Sequence, residues 1–261
     1  MAQMVRGVIF DIDGVLEYQG EVYPYAVDTI QKLRNRGLIV RFLTNSTLKS
    51  RASCARILRE KGFVVFDEEV FTASYITAAY LKLLHPRSCW IMLDGEGRSE
   101  FQDFAQDHEN PEYIVIGDNR SCFDFDHLNR ALRLLLNGSK LIGMQSELID
   151  TSMGKAELNV GSWVGMLERA SGVRAIYMGK PDSFAFELTL QSMVLGNRQV
   201  AMVGDRVLTD ILGAQQLGMQ SVLLRTGEFQ LAELENSIQP NYIADSVQEL
   251  PEILLGVRSE D

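Results

Sequence analysis

VRGVIFDIDGVL, residues 5–16, reads as a short buried strand that ends abruptly in two acids and a glycine. An apolar run such as Val5 to Phe10, hydrophobic on both faces, suits a parallel sheet enclosed between helix layers. In extended chain, residues two apart face the same side. Asp11 and Asp13 therefore leave the carboxyl end of the strand together, at the edge where open α/β sheets bind ligands. Two like charges there repel each other. The repulsion is relieved if a cation sits between them, or if one acid keeps a proton and serves as general acid while the other attacks. Gly14 lets the backbone turn closely past a ligand. For an isolated Asp-x-Asp, a solvated acidic turn is the plain alternative.

The same rhythm continues outward. An amphipathic segment from Tyr25 to Arg36 stops at Gly37, followed by Leu38 to Leu43 as a strand. A helix from Lys49 to Lys61, a strand from Val64 to Phe66 and a helix around Ala73 to Leu84 come next. Late in the chain, Val200 to Val203 reads as a strand, Thr209 to Leu217 as a helix closed by Gly218, and Ser221 to Leu224 as another strand. The expected fold is α/β, a doubly wound parallel sheet. The middle carries βα units of its own: Trp90 to Leu93, Tyr113 to Ile116, a helix from Asp126 to Leu136, and Leu141 to Met144. At near domain size, it reads as an inserted α/β domain over 81–175, with 1–80 and 176–261 forming the core.

The 261 residues, 46% hydrophobic, supply ample core for such an arrangement. A formal charge of −10 without any Lys/Arg-rich block argues against a nucleic-acid or membrane-surface partner. The start, MAQMVRGVIF, is too short an apolar run for a signal peptide, and no stretch approaches the ~20 apolar residues of a spanning helix. A cytoplasmic protein is expected. Cys54, Cys89 and Cys122 lack the close pairing of zinc or disulfide frameworks and read as buried or reduced thiols. His85, His108 and His127 match no triad or metal spacing. Trp163 either lines the inserted domain or fills its core.

Three further strand ends carry chemistry-bearing residues. Thr44-Asn45-Ser46-Thr47 places small hydroxyls just ahead of a helix, which suits either a phosphate cradle or an ordinary N-cap at Ser46 or Thr47. Gly179-Lys180-Pro181-Asp182 follows the strand-like Ala175 to Met178 and would bring a cation to the same sheet edge, where Lys180 could neutralise a phosphate and restrain Asp11. Gly204-Asp205-Arg206-Val207-Leu208-Thr209-Asp210 follows a buried strand and offers hard oxygen ligands of the kind Mg²⁺ takes. Asp205 is the better ligand candidate. Asp210 reads as a helix cap or a supporting residue.

Four such signals in order, each at a strand end, resemble the signature motifs of the haloacid dehalogenase superfamily. The resemblance implies a HAD-like Rossmannoid core with Asp11 as nucleophile and metal ligand, and Asp13 as general acid/base with its carbonyl on Mg²⁺. It implies Thr44, Asn45 and Ser46 around the phosphoryl group, Lys180 as charge screen, Asp205 on the metal, and Gly14 and Asp210 in support. Leu128 to Gly138, the Gly179-Lys180-Pro181 turn and Arg225-Thr226-Gly227 are similar to the class IIA branch. That branch holds the NagD-like, p-nitrophenylphosphatase-like and phospholysine phosphohistidine inorganic pyrophosphate phosphatase-like enzymes. In it the cap, inserted between the second and third motifs, selects the substrate and often takes part in dimers. The implied activity is Mg²⁺-dependent hydrolysis of a small phosphorylated metabolite, phosphoamino acid or pyrophosphate through an aspartyl-phosphate. Two cap stretches depart from the branch: Gln145-Ser146-Glu147 replaces an Asn-Pro-Asp type turn, and Asn159-Val160-Gly161-Ser162 a Pro-Gly-Ala-Gly run. The competing expectation is a phosphoryl-receiving regulatory or interaction protein, which needs neither the proton donor Asp13 nor so large an insertion.

Overall fold

The computed structural model describes residues 5–121, 123–151, 154–235 and 237–256; Cys122 lies outside them. The chain opens with β1 (Gly7–Phe10), a small flap of β2 (Glu17–Tyr18) and β3 (Glu21–Val22), and helix α1 (Ala26–Asn35). β4 (Ile39–Thr44), α2 (Arg51–Glu60), β5 (Val70–Thr72) and α3 (Ala73–Leu84) follow. The middle contributes β6 (Cys89–Met92), β7 (Tyr113–Ile116), α4 (Phe125–Leu136), β8 (Lys140–Gly143), the hairpin β9 (Ile149–Asp150) and β10 (Glu157–Leu158), α5 (Val160–Ser171) and β11 (Ala175–Tyr177). The chain closes with α6 (Ser183–Met193), β12 (Val200–Gly204), α7 (Leu212–Gln216), β13 (Gln220–Leu224), β14 (Tyr242–Ala244) and α8 (Leu250–Leu255).

Six strands form one parallel sheet in the order β14-β13-β12-β1-β4-β5, and four form a second in the order β11-β8-β7-β6, also parallel. The first sheet winds from β1 outward through β4 and β5, then restarts on the other side at β12. The order therefore reverses between β1 and β12, and the crevice at their carboxyl ends is the topological switch point where such sheets take ligands.

Side-chain alternation explains the layers. Val8 and Phe10 join one apolar cluster with α1, α2 and α8, while Ile9 points the other way. In the second sheet Ile91 and Val115 turn toward the first sheet, whereas Trp90, Ile114 and Ile116 pack on α4 and α5. Ile9, Ile76, Ile91, Val115 and Phe186 thus belong to one continuous apolar cluster between the sheets. Each fully buried Phe or Ile of this kind contributes about 1.5–3 kcal/mol over its exposed state.

Two expectations are corrected. Val64 to Phe66 is loop: Val65 is buried, but Val64 and Phe66 are exposed and no strand pairs with them, the third strand of this region being β5. The helix expected from Thr209 begins instead with a π-turn over Val207–Ile211, and α7 starts only at Leu212. No helix among the described residues is long and apolar enough to cross a membrane. Cys54 and Cys89 are buried free thiols, and burial pushes the first up to about 12 and the second to about 11.

Candidate active site

β1 and β12 lie side by side in register, Phe10 opposite Val203, so the residues that follow them emerge together at the switch point. Asp11 and Asp205 are those residues. Asp210 is turned in beside them by the π-turn, where its Oδ2 accepts the Arg206 N–H at 3.2 Å. A π-turn inside a helix start is a common device at functional sites, because it re-aims one side chain without ending the helix. One carboxylate oxygen from each of Asp11, Asp205 and Asp210 lies within 4.8 Å of the others, and all three residues are buried.

One ammonium faces them. Lys180 is 2% exposed, and its Nζ lies 2.7 Å from Asp11 Oδ2 and 2.7 Å from Asp210 Oδ1. Burial alone would discharge it, but Asp11 and Asp210 outweigh burial and hold it protonated, its pKa above the ordinary lysine range. Lys180 does not arrive from the first sheet. It follows β11, the edge strand of the second sheet, which pairs with β8, and reaches the cluster through the Gly179–Pro181 turn.

Three carboxylates against one ammonium leave an excess of two negative charges in a buried place. Burial, opposed by Lys180, raises Asp11 well above its ordinary range, with Asp210 and Asp205 adding to the rise. Burial and then Asp210 push Asp205 up to about 8, against the pull of the Glu228 N–H and Lys180. Without a further cation the cluster holds protons. Hard oxygen donors at this spacing, with this excess of charge, fit a divalent metal ion.

Backbone packing makes the approach feasible. Gly14 has φ +84°, and a Cβ there would lie 2.0 Å from Asp205 Oδ2; a Cβ on Gly227 would lie 2.4 Å from the same oxygen. Thr226 Oγ1 donates to the Gly14 carbonyl at 2.5 Å, and the Glu228 N–H donates to Asp205 Oδ2 at 2.7 Å. The Thr226–Glu228 loop therefore fastens the Asp11 turn to Asp205, a role that nothing in its residue types announces. Asp13, by contrast, is exposed, and its backbone bridges to Glu17 at the base of the flap. Burial works against the charge on Lys49, but Asp13 together with Cys54 and Glu17 outweighs it and raises the lysine.

Thr44 ends β4 next to β1, 3% exposed, and its Oγ1 accepts the Ser46 N–H at 3.1 Å. Ser46 and Thr47 are not helix caps: α2 starts at Arg51 and is capped by Ser50, while Thr47 Oγ1 accepts the Asp118 N–H of the second sheet's loops at 2.9 Å. Asn45 is tied to Lys180 itself. Its Oδ1 accepts the Lys180 N–H at 2.7 Å, and its Nδ2 donates to the Lys180 carbonyl at 3.1 Å. Away from the cluster, His108 and His127 flank Trp90, and Trp163 stacks on Phe123 at 4.5 Å between ring centroids.

Comparison with known proteins gives a consistent answer. A family model described as haloacid dehalogenase-like hydrolase matches residues 8–106, and one described as HAD-hydrolase-like matches residues 177–250. The chain is 32% identical over 258 residues to the mouse (Mus musculus) phospholysine phosphohistidine inorganic pyrophosphate phosphatase, covering 96% of this chain and 94% of that protein. Among solved structures, p-nitrophenyl phosphatase from Archaeoglobus fulgidus superimposes with a TM-score of 0.89 at 26% identity, over 96% of this chain and 100% of that one. NagD from Escherichia coli K-12 does so with a TM-score of 0.86 at 25% identity, over 95% and 98%.

Proposed function

Because the chain belongs to the haloacid dehalogenase-like hydrolases and is a phosphatase of their class IIA branch, we propose that Asp11 takes the phosphoryl group of a small substrate and passes it to water. The observation that carries this reading is the buried meeting of Asp11, Asp205, Asp210 and Lys180 at the switch point. Asp11 and Asp205 would hold a divalent cation, Mg²⁺ in this reading, with the Asp13 carbonyl. When bound, such an ion neutralises the excess charge and polarises the phosphoryl oxygens.

A carboxylate oxygen of Asp11 forms a bond to phosphorus as the bond to the leaving oxygen breaks. Asp13, exposed at the mouth of the site, gives that oxygen its proton. In the second step Asp13 takes a proton from water, the water oxygen bonds to phosphorus, and the bond to Asp11 breaks to release phosphate. Lys180 orients Asp11 for attack and offsets negative charge around the phosphoryl group, while Thr44, Asn45 and Ser46 line the phosphoryl side. Asp210 anchors Lys180 from behind.

Substrate choice falls to the 81–175 cap, whose loops close over the strand ends through the Thr47 contact with Asp118. The curated relative is named for phospholysine, phosphohistidine and inorganic pyrophosphate, and the archaeal structure for p-nitrophenyl phosphate. The proposed substrate class is accordingly a small phosphorylated metabolite, phosphoamino acid or pyrophosphate. The test is phosphate release from a phosphorylated-metabolite panel before and after chelation. Activity should vanish with EDTA, return with Mg²⁺, and be absent in Asp11→Asn. Undiminished turnover in a thoroughly chelated sample, or in Asp11→Asn, would refute the reading.

A further inference from the structure

Glu147 lies in the cap turn after β8, 102 residues from Asn45 in sequence, yet its Oε2 accepts the Asn45 Nδ2–H at 3.1 Å. Asn45 spends its other polar contacts on the two sides of the Lys180 residue, the N–H and the carbonyl. Glu147 therefore takes the remaining N–H of the amide that grips the lysine. Its other oxygen, Oε1, lies 3.6 Å from the Arg206 guanidinium. Arg206 follows Asp205 directly in the chain and is also held by Glu228 at 3.0 Å and Glu233 at 3.0 Å. Burial works against the charge on Arg206, but Glu147, Glu233 and Glu228 outweigh it.

The ring closes on the far side. Glu228, which binds Arg206 through its side chain, donates its backbone N–H to Asp205 Oδ2. Its Oε1 accepts the N–H and hydroxyl of Thr151, a second cap residue. The turn bearing Glu147 is itself fixed: the Glu147 N–H donates to Gln145 Oε1 at 2.6 Å, and the Glu147 carbonyl accepts the Gly161 N–H at the start of α5 at 2.9 Å.

We propose that Glu147 is a positioning residue for phosphoryl transfer, carried on the cap and holding Asn45 and Arg206 so that Lys180 and Asp205 keep their places around Asp11. Glu147 touches neither the acidic cluster nor Lys180 Nζ. It acts through Asn45 on one side and through Arg206 and Glu228 on the other, so that seating of the cap and assembly of the phosphoryl site are one event. This rests on the reading of Lys180 and Asn45 given above.

The test is steady-state kinetics of the full chain with p-nitrophenyl phosphate and with glycerol 2-phosphate, two substrates that present the cap with different leaving groups. Loosening a positioned group by an ångström costs on the order of 10²-fold. Glu147→Ala should therefore lower kcat by roughly tenfold to a hundredfold for both substrates alike, with KM nearly unchanged and the melting temperature close to that of the wild type. Glu147→Gln, which can still accept from Asn45, should recover most of kcat. Should the alanine variant not fold, Glu147→Asp, shorter by one methylene, reads the same loss. A variant with wild-type kcat, or one whose loss lies in KM and differs between the two substrates, would overturn the proposal. Failure of the underlying phosphatase reading would show separately, as a wild-type protein that hydrolyses neither substrate.

Discussion

Lys180 Nζ lies 2.7 Å from Asp11 Oδ2 in a site nearly closed to bulk water, Lys180 being 2% and Asp11 7% exposed. Removing the ammonium leaves carboxylates buried against one another, and breaking a buried pair by deleting one partner costs about 3–5 kcal/mol. Lys180→Met should lower the urea midpoint at neutral pH by a corresponding amount and reduce turnover by on the order of 10²–10³-fold, the usual cost of losing one charge-stabilising group. Lys180→Arg should recover little, because the guanidinium does not fit where a compact ammonium bridges two carboxylates. Equal stability in Lys180→Met at neutral pH would show that the acids are not ionised beside it.

Asp205 ties stability to pH. Its carboxyl sits near 3.8 when unfolded and at about 8 in the fold, raised first by burial and then by Asp210. The native state therefore binds the extra proton between those values, and through this group the stability of metal-free protein falls as pH rises from about 4 to about 8. A metal ion competes with that proton. The increase in melting temperature on adding Mg²⁺ should consequently be small near pH 6 and larger near pH 8.5, a difference on the order of a few degrees. Asp205→Asn should abolish the difference. A Mg²⁺ effect that is the same at both pH values would contradict the assignment.

Gly14 tolerates no side chain. At φ +84°, with a Cβ only 2.0 Å from Asp205 Oδ2, alanine adds backbone strain of about 1 kcal/mol and forces the carboxylate away. Gly14→Ala should fold with reduced stability and lose the Mg²⁺-induced rise in melting temperature along with activity. Retention of both would mean that the Asp11 turn and Asp205 are not so closely opposed.

Much of this was readable in advance because the informative residues stand at strand ends. Val5 to Phe10 running into Asp11, and Ala201 to Val203 into Asp205, each carry a local pattern that places the acid at a sheet edge. Lys180 carries the same pattern, yet its strand belongs to the second sheet, and nothing local distinguishes pairing with β8 from pairing with the first sheet. Ser46 and Thr47 look like caps because any Ser or Thr before a helix does, and only the distance to Arg51 decides otherwise. Val64 to Phe66 has strand-like residues, but its single buried side chain, Val65, packs without a partner strand. Glu147 and Glu228 are illegible for a different reason: their meaning lies in contacts with Asn45, Arg206 and Asp205 that only the docking of the two sheets creates.

The central claim is that phosphorus is bound covalently to Asp11, with Asp13 serving the step that frees it. Asp13→Asn removes the base for hydrolysis of that bond, a service worth roughly 10²- to 10⁴-fold. With an aryl phosphate, whose leaving oxygen needs little protonation, formation should continue while breakdown stalls. The decisive measurement is acid quench of Asp13→Asn during turnover of p-nitrophenyl phosphate with Mg²⁺, borohydride reduction of any acyl phosphate to the alcohol, and peptide mass mapping. The reduced side chain should appear at position 11 at close to one per chain, after a burst of p-nitrophenol of the same size. Turnover without any covalent label, or a label on a carboxylate other than Asp11, would contradict the account.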